Sequence, residues 1–171
     1  MAPRADLGIT PLHEAAENDA KQLVGLLTAA GAEPEARDEL GWTPLHAAAR
    51  AGHEATARAL LEAGASPSAG DMYGTTPLHL ACREGERSVA LRLLAAGARV
   101  TARNQRETTP LHEAAFAGDA TLVRALVEAG ADPAVVDAKG RTPSALAKQR
   151  DHPDTAAVLS EIDSEQRPPG L

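Results

Sequence analysis

Aromatic residues are nearly absent from this chain: one Trp, one Tyr and one Phe make up 2% of 171 residues. A core drawn from such a composition must rest on Ala, Leu and Val, which suits short, closely packed helices and disfavours a large sandwich or barrel. A lone cysteine, Cys82, excludes an internal disulfide framework and a multi-cysteine metal site. No segment approaches the roughly 18 consecutive apolar residues of a membrane span. The opening residues, Met1 to Gly8, carry no apolar core of a secretory leader. A cytoplasmic protein without a membrane partner is expected. Nor is there a concentrated stripe of Lys and Arg, since the formal net charge is −7 and the pI about 5.3. Nucleic-acid binders depend on such a stripe to neutralise phosphates, so no nucleic-acid partner is expected. Phosphate loops, nucleophile elbows and dinucleotide fingerprints are missing too. The sequence therefore predicts no enzyme and no cofactor.

What is present is a period. Thr-Pro-Leu-His stands at Thr10–His13, Thr43–His46, Thr76–His79 and Thr109–His112, each copy 33 residues after the last, and a degenerate copy follows at Thr142-Pro143-Ser144-Ala145. Gly31, Gly64, Gly97 and Gly130 are each followed by Ala, and Asp38, Asp71, Asn104 and Asp137 precede the Thr-Pro pairs. Leu27, Leu60, Leu93, Leu126 and Leu159 fill one column. Thr before Pro reads as a helix start, because Pro at the first helical position loses only an N–H that had no partner. An inner helix is predicted over Pro11–Glu17, then a turn, then an outer helix with Leu23, Leu26 and Leu27 on one apolar face. Gly31 ends it as a left-handed cap, and 32–41 forms a polar hairpin. One such unit leaves its apolar face in water, so stability requires stacking.

The run Asp38-x-x-Gly41-x-Thr43-Pro44-Leu45-His46-x-Ala48-Ala49-x-x-Gly52-His53, followed by Leu60-Leu61-x-x-Gly64-Ala65, resembles the ankyrin repeat almost position by position. The resemblance covers about residues 5 to 160. It implies an all-α, L-shaped repeat solenoid of helix-turn-helix units joined by β-hairpin loops, with the inner helices lining a concave groove. The units divide as an N-terminal extension (1–4), repeats at 5–37, 38–70, 71–103 and 104–136, a degenerate capping repeat at 137–162 and a disordered tail at 163–171. Glu107 stands where other units have Gly, so that hairpin should be altered. Glu14, Glu17, Asn18, Lys21 and Gln22 give the first unit a polar face, as a terminal cap requires, and the array reads as complete. Asn, the residue modified in hydroxylated ankyrin domains, is replaced at the matching places by Glu35, Ser68, Thr101 and Ala134.

Four histidines belong to the motif. Packed helices lie about 8–10 Å apart, whereas zinc ligands sit within about 2.3 Å of their ion, so equivalent histidines of successive repeats cannot share a metal. Each should bond its neighbouring Thr or backbone and tie hairpin to helix. His53 and His152 read as turn-stabilising residues, and Cys82 as a small core residue.

The resemblance implies that the positions left without structural duty lie at the hairpin tips, just before Thr-Pro, and near the ends of the inner helices. They supply the expected protein-binding residues: Leu40, Trp42 and Arg50 in repeat 2; Met72, Tyr73 and Arg83 in repeat 3; Gln105, Arg106 and Phe116 in repeat 4; Lys139 and Arg141 in repeat 5. All three aromatics fall here, with Met and Arg, the types enriched at interfaces and hot spots. A hairpin aromatic can instead pack on the next hairpin, but three together favour recognition. The expected function is capture of one partner protein by a monomer, through the groove of repeats 2 to 4. A passive adaptor and an inhibitor that holds an enzyme partner inactive both fit. Alanine at Trp42 or Tyr73 should weaken capture and leave melting nearly unchanged.

Overall fold

The computed structural model describes residues 8–166. Among the described residues the chain forms ten helices and no strand. They come in five pairs: α1 (Pro11–Glu17) with α2 (Lys21–Ala29), α3 (Pro44–Ala51) with α4 (Glu54–Glu62), α5 (Pro77–Glu84) with α6 (Arg87–Ala95), α7 (Pro110–Ala117) with α8 (Ala120–Glu128), and α9 (Pro143–Gln149) with α10 (Pro153–Gln166). The odd-numbered helices pack in one row and the even-numbered in another, so the fold is a two-layer solenoid. Ala48, Ala49, Ala81, Cys82, Ala114 and Ala115 are fully buried between successive inner helices. Their short side chains let those helices approach closely.

The Leu and Gly-Ala columns meet at the end of each outer helix. Gly31, Gly64, Gly97 and Gly130 take φ between 82° and 97°. The N–H of the following Ala then donates back to the Leu five residues earlier: Ala32 to Leu27, Ala65 to Leu60, Ala98 to Leu93 and Ala131 to Leu126, at 2.9–3.0 Å. This is a Schellman closure, and it satisfies carbonyls that the helix end would leave bare.

The segments between units are tight turns rather than two-stranded hairpins. In the first, Asp38 N–H donates to the Trp42 carbonyl at 3.0 Å, and the Asp38 carboxylate accepts from the backbone of Leu40 and Trp42 at 2.9 and 2.8 Å. The carboxylate closes the loop, so no further strand pairing is needed. Successive turns are joined by a backbone bond each: Met72 N–H to Leu40 O, Gln105 N–H to Tyr73 O and Ala138 N–H to Arg106 O.

Three other expectations are corrected. The turn at Glu107 is not altered: Glu107 itself adopts φ 58°, beside 76°, 75° and 72° for Gly41, Gly74 and Gly140. Asn104 supplies the same bonds there, to the N–H groups of Arg106 and Thr108. On α2, Val24 is the buried residue, while Leu23 and Leu26 are 44% and 69% exposed. The later counterparts of Leu23 pack on the preceding unit, as when the Thr56 hydroxyl donates to Asp19, and no unit precedes α2 among the described residues. Finally, α10 continues through Gln166, because Ile162 at 8% exposure still packs on the core and holds the last turns helical. The tail expected to be disordered from 163 is thus helical as far as 166. The rest of that tail, the 1–4 extension and residues 5–7 lie outside the described residues.

Candidate functional site

The four motif histidines set the scaffold on which any site is displayed. In each, Nδ1 accepts from the N–H of the Thr that opens the helix, at 3.0–3.2 Å, and lies 2.9–3.0 Å from that Thr hydroxyl. Nε2 faces a carbonyl oxygen of the next turn: His13 to Trp42, His46 to Thr75, His79 to Thr108 and His112 to Arg141, at 2.9–3.1 Å. A carbonyl only accepts and a backbone N–H only donates, so the ring is neutral with its proton on Nε2. Burial lowers the pKa of His46, His79 and His112, with the His79 value at about 4. His53 and His152 do more than hold their own turns. Their Nε2 atoms reach the carbonyls of Glu17 and Phe116 in the preceding units.

With these residues committed, the variable ones line two recesses on the inner side. One, about 290 Å³, runs from Leu40 and Trp42 past Tyr73 and Leu80. The other, about 690 Å³, runs from Arg83 and Arg106 past Phe116 to Lys139 and Arg150. Arg83, Gln105, Arg106 and Glu113 border both, so the two form one trough over repeats 2 to 5. It extends one unit beyond the groove expected from the sequence.

Of the residues expected from the sequence, Met72 and Arg50 line neither recess, and all of them differ in freedom. Leu40, Met72 and Tyr73 are about half exposed at the turn tips. Arg83, Arg106 and Lys139 are exposed and form no ion pair among the described residues. Trp42 is not free: its indole N–H donates to Asp71 at 3.2 Å, its ring stacks on His46 at 6.0 Å, and the Arg50 guanidinium lies 4.9 Å above it. Arg50 also pairs with Glu17 at 2.9 Å. Gln105 donates its amide to the Met72 carbonyl at 3.1 Å. Arg141 is bound to Asp137 through two nitrogens, at 2.6 and 2.9 Å. Burial raises the Asp137 carboxyl, but the Arg141 guanidinium and the backbone N–H groups of Arg141 and Lys139 outweigh it and hold the pKa at about 2. Phe116 is half-buried, with the Arg150 guanidinium 4.2 Å over its ring.

Leu80, Glu113 and Arg150 are among the lining residues that the sequence reading does not assign to binding. Leu80 and Glu113 stand one place after the motif His, a column that reads Glu14, Ala47, Leu80, Glu113, Leu146. Its variation amid invariant neighbours is the signal that marks it as groove-facing. Burial raises the Glu113 carboxyl, and Arg83, the Thr108 hydroxyl and Arg106 pull it part of the way back.

A constant helical scaffold that displays a variable trough defines a repeat solenoid of the recognition type. Family models for ankyrin repeats match residues 12–104 (three copies) and 93–147 (many copies), and the chain belongs to the ankyrin-repeat family. Ankyrin repeats are generally protein–protein interaction modules and typically non-catalytic. No curated protein matches the chain. None of the helices among the described residues is long and apolar enough to cross a membrane.

Proposed function

We propose that the chain is a non-catalytic binding module that captures one partner protein in the trough formed by the turn tips and inner helices, centred on repeats 2 to 4. The observation that carries this reading is a division of labour. Residues shared by the repeats are buried or hydrogen-bonded in cohesion, while Leu40, Tyr73, Arg83 and Arg106 differ from unit to unit and have exposed side chains. An interface of standard size buries about 800 Å² on each partner, and a trough spanning several repeats offers a surface of that order.

The test is affinity capture with the wild-type chain beside Tyr73→Ala and Arg83→Ala, read by mass spectrometry and paired with thermal melts. One protein should be enriched by wild type and lost from both variants, whose melting stays within a degree or two. Equal enrichment by wild type and both folded variants would move the site elsewhere.

A further inference from the structure

The trough changes character along its length. The turn-tip column reads Leu40, Tyr73, Arg106, Lys139 in successive repeats, apolar at one end and cationic at the other. Leu80 floors the apolar end. At the cationic end Arg141 is neutralised by Asp137. Arg83, Arg106, Lys139 and Arg150 then face one remaining carboxylate of the lining, that of Glu113. None of these four cations forms an ion pair among the described residues, in which Arg50, Arg87, Arg92 and Arg124 all do. A recess with excess positive charge in a chain of net charge −7 runs against the composition.

We infer that the occupant is an extended acidic peptide segment, with apolar side chains against Leu40, Tyr73 and Leu80 and carboxylates on Arg83, Arg106, Lys139 and Arg150. This rests on the binding function proposed above and adds the chemistry of the partner. Guanidinium forks match carboxylates in two parallel hydrogen bonds, and a positive recess on an otherwise acidic surface steers an acidic segment to one place. Three repeat steps of about 8–10 Å span about 24–30 Å, which an extended chain at about 3.3 Å per residue covers in about eight residues. A compact small anion would leave the apolar end empty. A nucleic acid would bring a long polyanion against the acidic remainder of the molecule and offer little to Leu40 and Leu80.

The experiment is selection of a displayed random dodecapeptide library on the full chain, beside the charge-reversed variant Arg83→Glu/Arg106→Glu and the apolar-end variant Tyr73→Ala. Both arginines are exposed and unpaired, so circular dichroism should show the reversed variant folded. Selected sequences should carry Asp and Glu in one half and Leu or aromatic residues in the other, and the acidic half should vanish on the reversed variant. A synthesised winner, followed by fluorescence anisotropy, should lose about tenfold in affinity between 50 and 300 mM salt. It should bind Glu113→Gln severalfold more tightly, since a competing carboxylate has gone. Basic or uncharged winners, no enrichment at all, or an oligonucleotide that outcompetes the peptide would each overturn the inference. Winners indifferent to charge reversal but lost on Tyr73→Ala would sink the acidic partner and leave the binding function standing. Winners that ignore both variants would remove the trough itself.

Discussion

Trp42 and Tyr73 stand in neighbouring turns and differ in what their removal would do. The Tyr73 ring is half exposed, and its hydroxyl makes no hydrogen bond among the described residues, so Tyr73→Ala should change stability by less than about 0.5 kcal/mol. Trp42 bonds Asp71, stacks on His46 and carries Arg50. Trp42→Ala gives up these contacts together and should cost about 2 kcal/mol in chemical denaturation. Equal stability of the two variants would show that the indole contacts contribute nothing. These contacts stand against the expectation that Trp42→Ala leaves melting nearly unchanged, so its effect on capture is to be measured on folded material. At Glu107 the issue is backbone. A side chain held at φ 58° carries about 1–2 kcal/mol of strain. Its pairing with Arg103 at 2.8 Å is exposed and returns little. Glu107→Gly should stabilise the chain by roughly 1 kcal/mol in urea titration, after the added freedom of the unfolded glycine is subtracted. A destabilised variant would mean that the ion pair outweighs the strain.

At the scale of the element, the turns are the joints of the stack. Gly41 and Gly140 share a left-handed φ, 76° and 72°, but differ in surroundings. A Cβ on Gly41 would meet the Met72 nitrogen at 2.9 Å, the atom that bonds Leu40, whereas a Cβ on Gly140 meets nothing within 4 Å. Gly140→Ala should therefore cost about 1 kcal/mol, for backbone strain alone. Gly41→Ala should cost at least twice that, because the next turn must shift. Equal losses in paired melts would refute turn stacking as a source of cohesion. The helices and their caps were legible in the sequence, since Thr-Pro, Gly-Ala and the Leu column each answer a local backbone need that repeats. The turns were legible as turns but not as carboxylate-closed loops, because Asp38 and its counterparts suit a hairpin equally well. Exposure of Leu23 was not readable, since the same position is buried wherever a unit precedes it. Of the candidate residues that the sequence points to at the turn tips, Leu40, Tyr73, Gln105, Arg106 and Lys139 line the recesses. Leu80 and Glu113 sit among residues that read as core, and Arg141 reads as free because its partner, Asp137, has the sequence pattern of a turn residue alone.

At the scale of the molecule, the units are coupled through neutral imidazoles, and that makes cohesion sensitive to acid. Burial lowers the pKa of His46, His79 and His112 in the folded chain, whereas in the unfolded chain histidine titrates near 6.5. Above about pH 6.5 both states are neutral and the full stability is present. As the pH falls the unfolded chain takes up protons first, so stability declines from pH 6.5 down through the folded values, which for His79 means to about 4. For His79 alone the loss reaches roughly 3 kcal/mol across that window. The geometry gives the same sign, since a proton on Nδ1 would confront the N–H of Thr76. Glu113 opposes the trend: its raised pKa favours the folded state as it protonates, but it is one group against three. Asp137, held at about 2, keeps its contribution until the pH drops below about 3.8 and lies outside the window. Urea unfolding at pH 7.5, 6.0 and 5.0 should show stability falling steadily in the wild type. His79→Gln keeps a side chain able to reach back to the Thr76 N–H, as Gln does in capping boxes. It should be less stable than wild type at pH 7.5 and lose less on acidification, so that the two curves converge toward pH 5. Parallel curves, or a wild type whose stability is level from 7.5 to 5.0, would mean that burial does not hold the folded histidines below their unfolded titration, while equal stability of the two proteins at pH 7.5 would mean that the His79 tie adds nothing to the stack.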